Sequence, residues 1–144
     1  MFAKWYEVNG VKCQGKVEKG VAELLVEMQH PFSRGKAIKT PHGNYTPDFD
    51  CGSCFVEVKT LHSWLQALGA VSLLENAKKE EFSKLTNNSQ LKMEWANTNI
   101  KPVYVYIEIS DNSNKFKDVS EPPHQLTTIR GNHSNLQSFL AEKM

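Results

Sequence analysis

Apolar and polar positions alternate along this chain in short segments that switch between strand-like and helix-like periods. Trp5 to Cys13, WYEVNGVKC, sets Asn9-Gly10 between two apolar-bearing runs and predicts a hairpin. From Gly15 to Gln29, Val17, Val21, Leu24, Leu25 and Met28 recur at helical spacing, and Pro31 marks the end of that helix. Lys36 to Thr40 predicts a strand, followed by a Pro41-His42-Gly43-Asn44 turn. Tyr45–Phe49 and Phe55–Val58 are rich in aromatic and β-branched residues and predict two further strands. The turn between them is Asp50-Cys51-Gly52-Ser53.

A helix is expected from Ser63 to Leu85, with Trp64, Leu65, Leu68, Val71, Leu74, Ala77 and Phe82 toward its buried side. Lys78, Lys79 and Lys84 interleave with Glu75, Glu80 and Glu81 as a solvated, ion-paired face. Ser89 can cap a short helix over Gln90–Ala96. Pro102 to Ile109, PVYVYIEI, has the continuous β-branched and aromatic character of a central buried strand. Residues 115–131 show no strong period, and Ser134–Lys143 predicts a closing helix with Leu136, Phe139 and Leu140 inward. The fold class is therefore α/β, a mixed sheet flanked by helices.

The chemistry concentrates in the hairpin expected over Tyr45–Thr60. Asp48 and Glu57 would lie near one another on adjacent strands. Glu57 and Lys59 are two positions apart and share one strand face. Two neighbouring carboxylates repel unless a cation compensates them. Oxygen ligands in an incomplete set suit Mg²⁺, which keeps several of its waters. Lys59 can orient or help deprotonate one such water. A nucleophile with charge neutralisation is what phosphodiester hydrolysis needs. The competing reading is a solvated hairpin face, since Glu-x-Lys alone is common.

Composition adds few constraints. The chain has 144 residues, 40% hydrophobic and 23% charged, enough for one domain with a real core. No apolar run reaches membrane-spanning length, so no membrane partner is expected. The N-terminal residues lack the long apolar segment of a signal peptide. With three Cys a disulfide framework is not expected, and a reducing cytoplasm is the simplest compartment. The net charge of +1 does not announce nucleic acid, although Arg34, Lys36 and Lys39 offer a local basic patch. Cys51-Gly52-Ser53-Cys54 has zinc-ligand spacing, with Cys13, His42 or His62 as conceivable further ligands. No second such pair accompanies it, and a tight turn with two free thiols is the preferred reading. His124 and His133 are expected at the surface.

Pro47-Asp48 followed by Glu57-Val58-Lys59 resembles the PD-(D/E)XK nuclease signature. The match is nearest to the phage endonuclease I branch of Holliday-junction resolvases, through Tyr45-Thr46-Pro47-Asp48-Phe49 and Phe55-Val56-Glu57-Val58-Lys59. It weakens after Leu61 and covers about the first half of the chain. The resemblance implies a restriction-endonuclease-like αβββαβ core over residues 15–110. A hairpin over 1–14 would precede it and an extension over 111–144 would follow. It implies Mg²⁺, with Mn²⁺ able to substitute, on Asp48, Glu57 and the Val58 carbonyl. Glu18 on the first helix would complete the site, with Glu23 as the next choice and Glu27 at the surface. Lys59 would position the attacking water. Gln66 and Thr60 are accessory candidates toward the site or the DNA backbone. The implied product ends are a 5′-phosphate and a 3′-hydroxyl. The implied partners are duplex or branched DNA and a second copy of the chain, in a bacterial or phage-infected cell. Sequence-specific cleavage of homing, restriction or nicking type is the other enzymatic reading. An inert nuclease-fold module, acting in assembly or inhibition, is the non-enzymatic one.

Overall fold

A computed structural model describes residues 4–68, 89–109 and 124–143. The fold is mixed α/β. Its central sheet has five strands in the order β3 (Ser33–Arg34), β6 (Phe49–Asp50), β7 (Phe55–Thr60), β8 (Val103–Glu108) and β9 (Thr127–Gly131). β3, β6 and β7 pair antiparallel, whereas β7, β8 and β9 run parallel. Two separate two-stranded ribbons flank it: β1 (Trp5–Val8) with β2 (Val11–Gln14), and β4 (Ile38–Thr40) with β5 (Gly43–Tyr45). The helices are α1 (Gly15–Glu27), α2 (Leu61–Ala67), α3 (Ser89–Asn99) and α4 (His133–Lys143).

The strand period sorts the core into two layers. Val56 and Tyr106 face one side, where Val21, Leu25, Phe49, Leu136 and Leu140 are buried with them. That layer holds α1, α4 and the inner residues of the β1–β2 ribbon. Phe55, Val103, Val105 and Ile107 face the other side, packed with Trp64, Met93, Ala96 and Tyr45. That layer holds α2, α3 and the β4–β5 ribbon. β7 and β8 are covered on both faces, which explains why their sequences are apolar without interruption.

Several expectations are met. Asn9 and Gly10 both take positive φ, 51° and 82°, as a two-residue hairpin turn requires. The stripe of α1 buries Val21, Ala22, Leu24 and Leu25. The helix stops at Glu27, and Gln29 turns left-handed at φ 56°, two residues ahead of Pro31. β8 lies between β7 and β9.

Other expectations need correction. Tyr45–Phe49 is not one strand. Pro47 cannot donate to a ladder and biases Thr46 toward extended backbone. The chain therefore leaves β5 at Tyr45, bends at Asp48 and re-enters a strand only at Phe49. The strand expected over Lys36–Thr40 forms as Ile38–Thr40 but pairs with β5 outside the main sheet. Its place beside β6 is taken by Ser33–Arg34, too short to show a period. α2 starts at Leu61 rather than Ser63, and α3 runs on to Asn99 rather than Ala96. The expected extension of α2 to Leu85, with its ion-paired face, lies outside the described residues. β9 was not foreseen: TTIRG is half polar, and its place comes from pairing with β8. Leu136 and Leu140 of α4 are fully buried against α1's layer, so the C-terminal residues share the core. Among the described residues no helix is long and apolar enough to cross a membrane.

Candidate functional site

The antiparallel register pairs Phe49 with Val56 and Asp50 with Phe55. One step further along the same register, Asp48 stands opposite Glu57. Residues facing each other in this way project from the same sheet face. The backbone N–H of Asp48 donates to Glu57 Oε1 at 3.1 Å, and the Val58 N–H donates to Asp48 Oδ2 at 2.8 Å. The Tyr45 hydroxyl donates to the same Glu57 Oε1 at 2.6 Å. The two carboxylates are thus locked by groups on three segments: the end of β5, the bend at Asp48 and β7.

Glu57 is the one charged residue buried in the core among the described residues, at 4% exposure. Burial, then the charge of Asp48, pushes its carboxyl up to about 8, against the pull of Lys59, Tyr45 and the Asp48 N–H. Burial and the charge of Glu18 likewise raise Asp48, opposed by Val58, Lys59 and Arg34. Burial raises the Tyr45 phenol far above its ordinary value, with Glu57 adding to it, so Tyr45 remains a donor. Lys59, two residues from Glu57 on the same face, acts on both carboxylates.

Backbone direction supplies a further oxygen. Phe55 N–H donates to Pro102, so Phe55, Glu57 and Lys59 turn their backbone groups toward β8. The intervening Val58 turns its N–H toward Asp48. In an extended strand a residue's N–H and C=O point the same way. The Val58 carbonyl therefore faces the edge where Asp48 sits.

Glu18 reaches this region from the first turn of α1. Its Oε1 accepts from the Gln14 N–H at 2.9 Å and from Arg34 Nη1. Arg34 Nη2 also approaches Asp48 Oδ1 at 3.8 Å. Glu23 points elsewhere: its side chain is 56% exposed and pairs with Lys19, whereas that of Glu18 is 12% exposed. Glu27 is exposed. Thr60 exchanges hydrogen bonds with Ser63 at the start of α2, an N-terminal cap rather than a group aimed at the carboxylates. Gln66 lies on α2, and its side chain is outside the described residues. Sequence reasoning assigned no role to Tyr45 and placed Arg34 only in a loop patch. Neither residue type signals a site by itself. Their roles come from the bend at Pro47-Asp48 and the pairing of β3 with β6.

Cys51 and Cys54 are buried thiols, not joined in a disulfide, at the tip of the β6–β7 turn. Their mutual hydrogen bond holds the Cys54 thiol low and pushes Cys51 up. Among the described residues no group of three or more His, Cys, Asp or Glu side chains gathers to hold a metal ion. Glu18 is turned onto Arg34, so the converging donors are Asp48, Glu57 and the Val58 carbonyl. These are hard oxygens, and both hydrogen bonds to Glu57 fall on Oε1, leaving Oε2 for another partner. Two carboxylates raised by burial and by neighbouring acids, Asp48 by Glu18 and Glu57 by Asp48, with carbonyl oxygen beside them, fit a hard divalent cation that retains its own waters. His124, expected as an isolated surface residue, instead packs edge-on against Trp64 at 5.2 Å. His133 lies 3.4 Å from Glu108.

The chain was compared with protein-family models, curated proteins and solved structures, and none of the three yields a match.

Proposed function

We propose that this chain is a metal-dependent nuclease of the PD-(D/E)XK kind, with a restriction-endonuclease-like core. Within that class we propose a DNA endonuclease akin to the phage junction resolvases, acting as a homodimer so that two strands are cut symmetrically. The observation that carries this reading is a buried, raised Glu57 held against Asp48, with Lys59 on the same face. The sheet supports it too: three antiparallel strands after α1, then a parallel strand reached through helices.

When bound, Mg²⁺ or Mn²⁺ supplies a Lewis acid beside the phosphate and an acidified water. Asp48, Glu57 and the Val58 carbonyl offer the oxygens that hold it. Tyr45 and the Asp48 N–H fix one oxygen of Glu57, so its carboxylate is oriented in advance. The Lys59 ammonium orients the attacking water and offsets negative charge growing on the phosphate. The water oxygen bonds to phosphorus, the P–O3′ bond breaks, and the 3′-oxygen takes up a proton.

The test is a cleavage panel of four-way junction, linear duplex, nicked duplex and single-stranded RNA with Mg²⁺ or Mn²⁺. Cleavage of a DNA member is expected, with loss in EDTA and in folded Asp48→Asn and Lys59→Ala variants. Full activity in folded Asp48→Asn, or equal activity in EDTA, rejects the mechanism.

A further inference from the structure

Arg34 sits among the acids on the side of α1. Its Nη1 is bonded to Glu18 Oε1, its Nη2 lies 3.8 Å from Asp48 Oδ1, and its guanidinium carbon stands 5.7 Å from the Trp5 ring centroid. Its side chain is 31% exposed. Trp5 is 54% exposed, and with Tyr6, Glu7 and Lys12 it lines an open groove of about 440 Å³.

We infer that Arg34 is a phosphate-binding residue of this same site, held on Glu18 and Asp48 until a divalent cation takes its place. This rests on the nuclease reading. A guanidinium and a divalent cation compete for the same carboxylate oxygens and repel each other at such range. Displaced from the acids, Arg34 keeps its stack on Trp5 and remains at the rim of the site. Its planar fork matches phosphate oxygens as well as it matches carboxylates. Arg34 thus neutralises the acids when the ion is absent and meets the substrate when it is present.

The experiment titrates Mn²⁺ calorimetrically into the wild-type chain, Arg34→Met, Arg34→Gln and Arg34→Lys, and measures cleavage at saturating Mn²⁺. Arg34→Met and Arg34→Gln are expected to bind Mn²⁺ about tenfold more tightly. Their cleavage is expected to fall about a hundredfold. Arg34→Lys should retain near-wild-type affinity with intermediate cleavage. These opposite movements distinguish the proposal from a structural role, which lowers both together. Where Arg34→Met does not fold, as judged by a thermal melt, Arg34→Gln decides. Unchanged or weaker Mn²⁺ affinity in a folded, charge-free variant overturns this inference alone. Absence of Mn²⁺ heat in the wild type overturns the nuclease reading and this inference with it.

Discussion

Glu57 makes the metal-free chain sensitive to pH in a defined direction. In the folded chain its proton is held up to about 8, whereas the ordinary value is 4.5. Between these limits the folded chain binds more protons than the unfolded one. The stability this group contributes is therefore full below pH 4.5, falls as pH rises, and is lost completely above about pH 8. The interval corresponds to about 5 kcal/mol. For a chain of this size that is on the order of 15 °C in Tm. The rise in Asp48 acts with the same sign. Glu57→Gln keeps an oxygen for Tyr45 and the Asp48 N–H but cannot ionise. Urea unfolding in EDTA at pH 5, 6, 7 and 8 measures the effect. The wild-type chain should lose several kcal/mol across the series, and Glu57→Gln should lose much less and be the more stable protein at pH 8. Asp48→Asn should flatten the slope only in part, because burial outranks Asp48 among the causes of the rise in Glu57. A wild-type chain equally stable at pH 5 and pH 8, or an undiminished slope in Glu57→Gln, would refute the reasoning.

Three further outcomes follow from the same geometry. Tyr45→Phe removes a donor to Glu57 Oε1 that favours the charged carboxylate. It should raise the Glu57 carboxyl further and cost about 1–3 kcal/mol at pH 8, measured by urea unfolding. Gly35→Ala drives a Cβ into the Pro47 carbonyl oxygen, backbone that cannot swing away. It should cost about 1–3 kcal/mol and displace the Asp48 bend, seen as weaker Mn²⁺ binding in a folded variant. Phe49→Ala empties a fully buried position edge-on to Phe32 and should cost about 3–5 kcal/mol by chemical denaturation.

Where one local pattern dictates structure, the sequence was informative. Asn9-Gly10, the α1 stripe and the uninterrupted apolar run of β8 each need only neighbours in the chain to be understood. β3 and β9 were hidden because two residues carry no period and because TTIRG owes its place to a partner strand. The placement of Asp48 beside Glu57 was legible from spacing and turn chemistry. The bend that produces it was not, since Pro47 interrupts what composition suggested was a continuous strand. Arg34 and Tyr45 reach the carboxylates through tertiary pairing, which no spacing in the sequence encodes. The likeness of Tyr45–Lys59 to a nuclease signature pointed to the acids and the lysine; of the two helix acids, Glu18 is the less exposed and pairs with Arg34, whereas Glu23 pairs with Lys19.

The most direct measurement is end-group analysis of DNA incubated with the purified chain and Mg²⁺, using an end-labelled four-way junction beside a linear duplex. The nuclease assignment predicts new 5′-phosphate and 3′-hydroxyl termini that vanish with Lys59→Ala. Intact DNA of every form with a folded, Mg²⁺-loaded wild-type chain would contradict it.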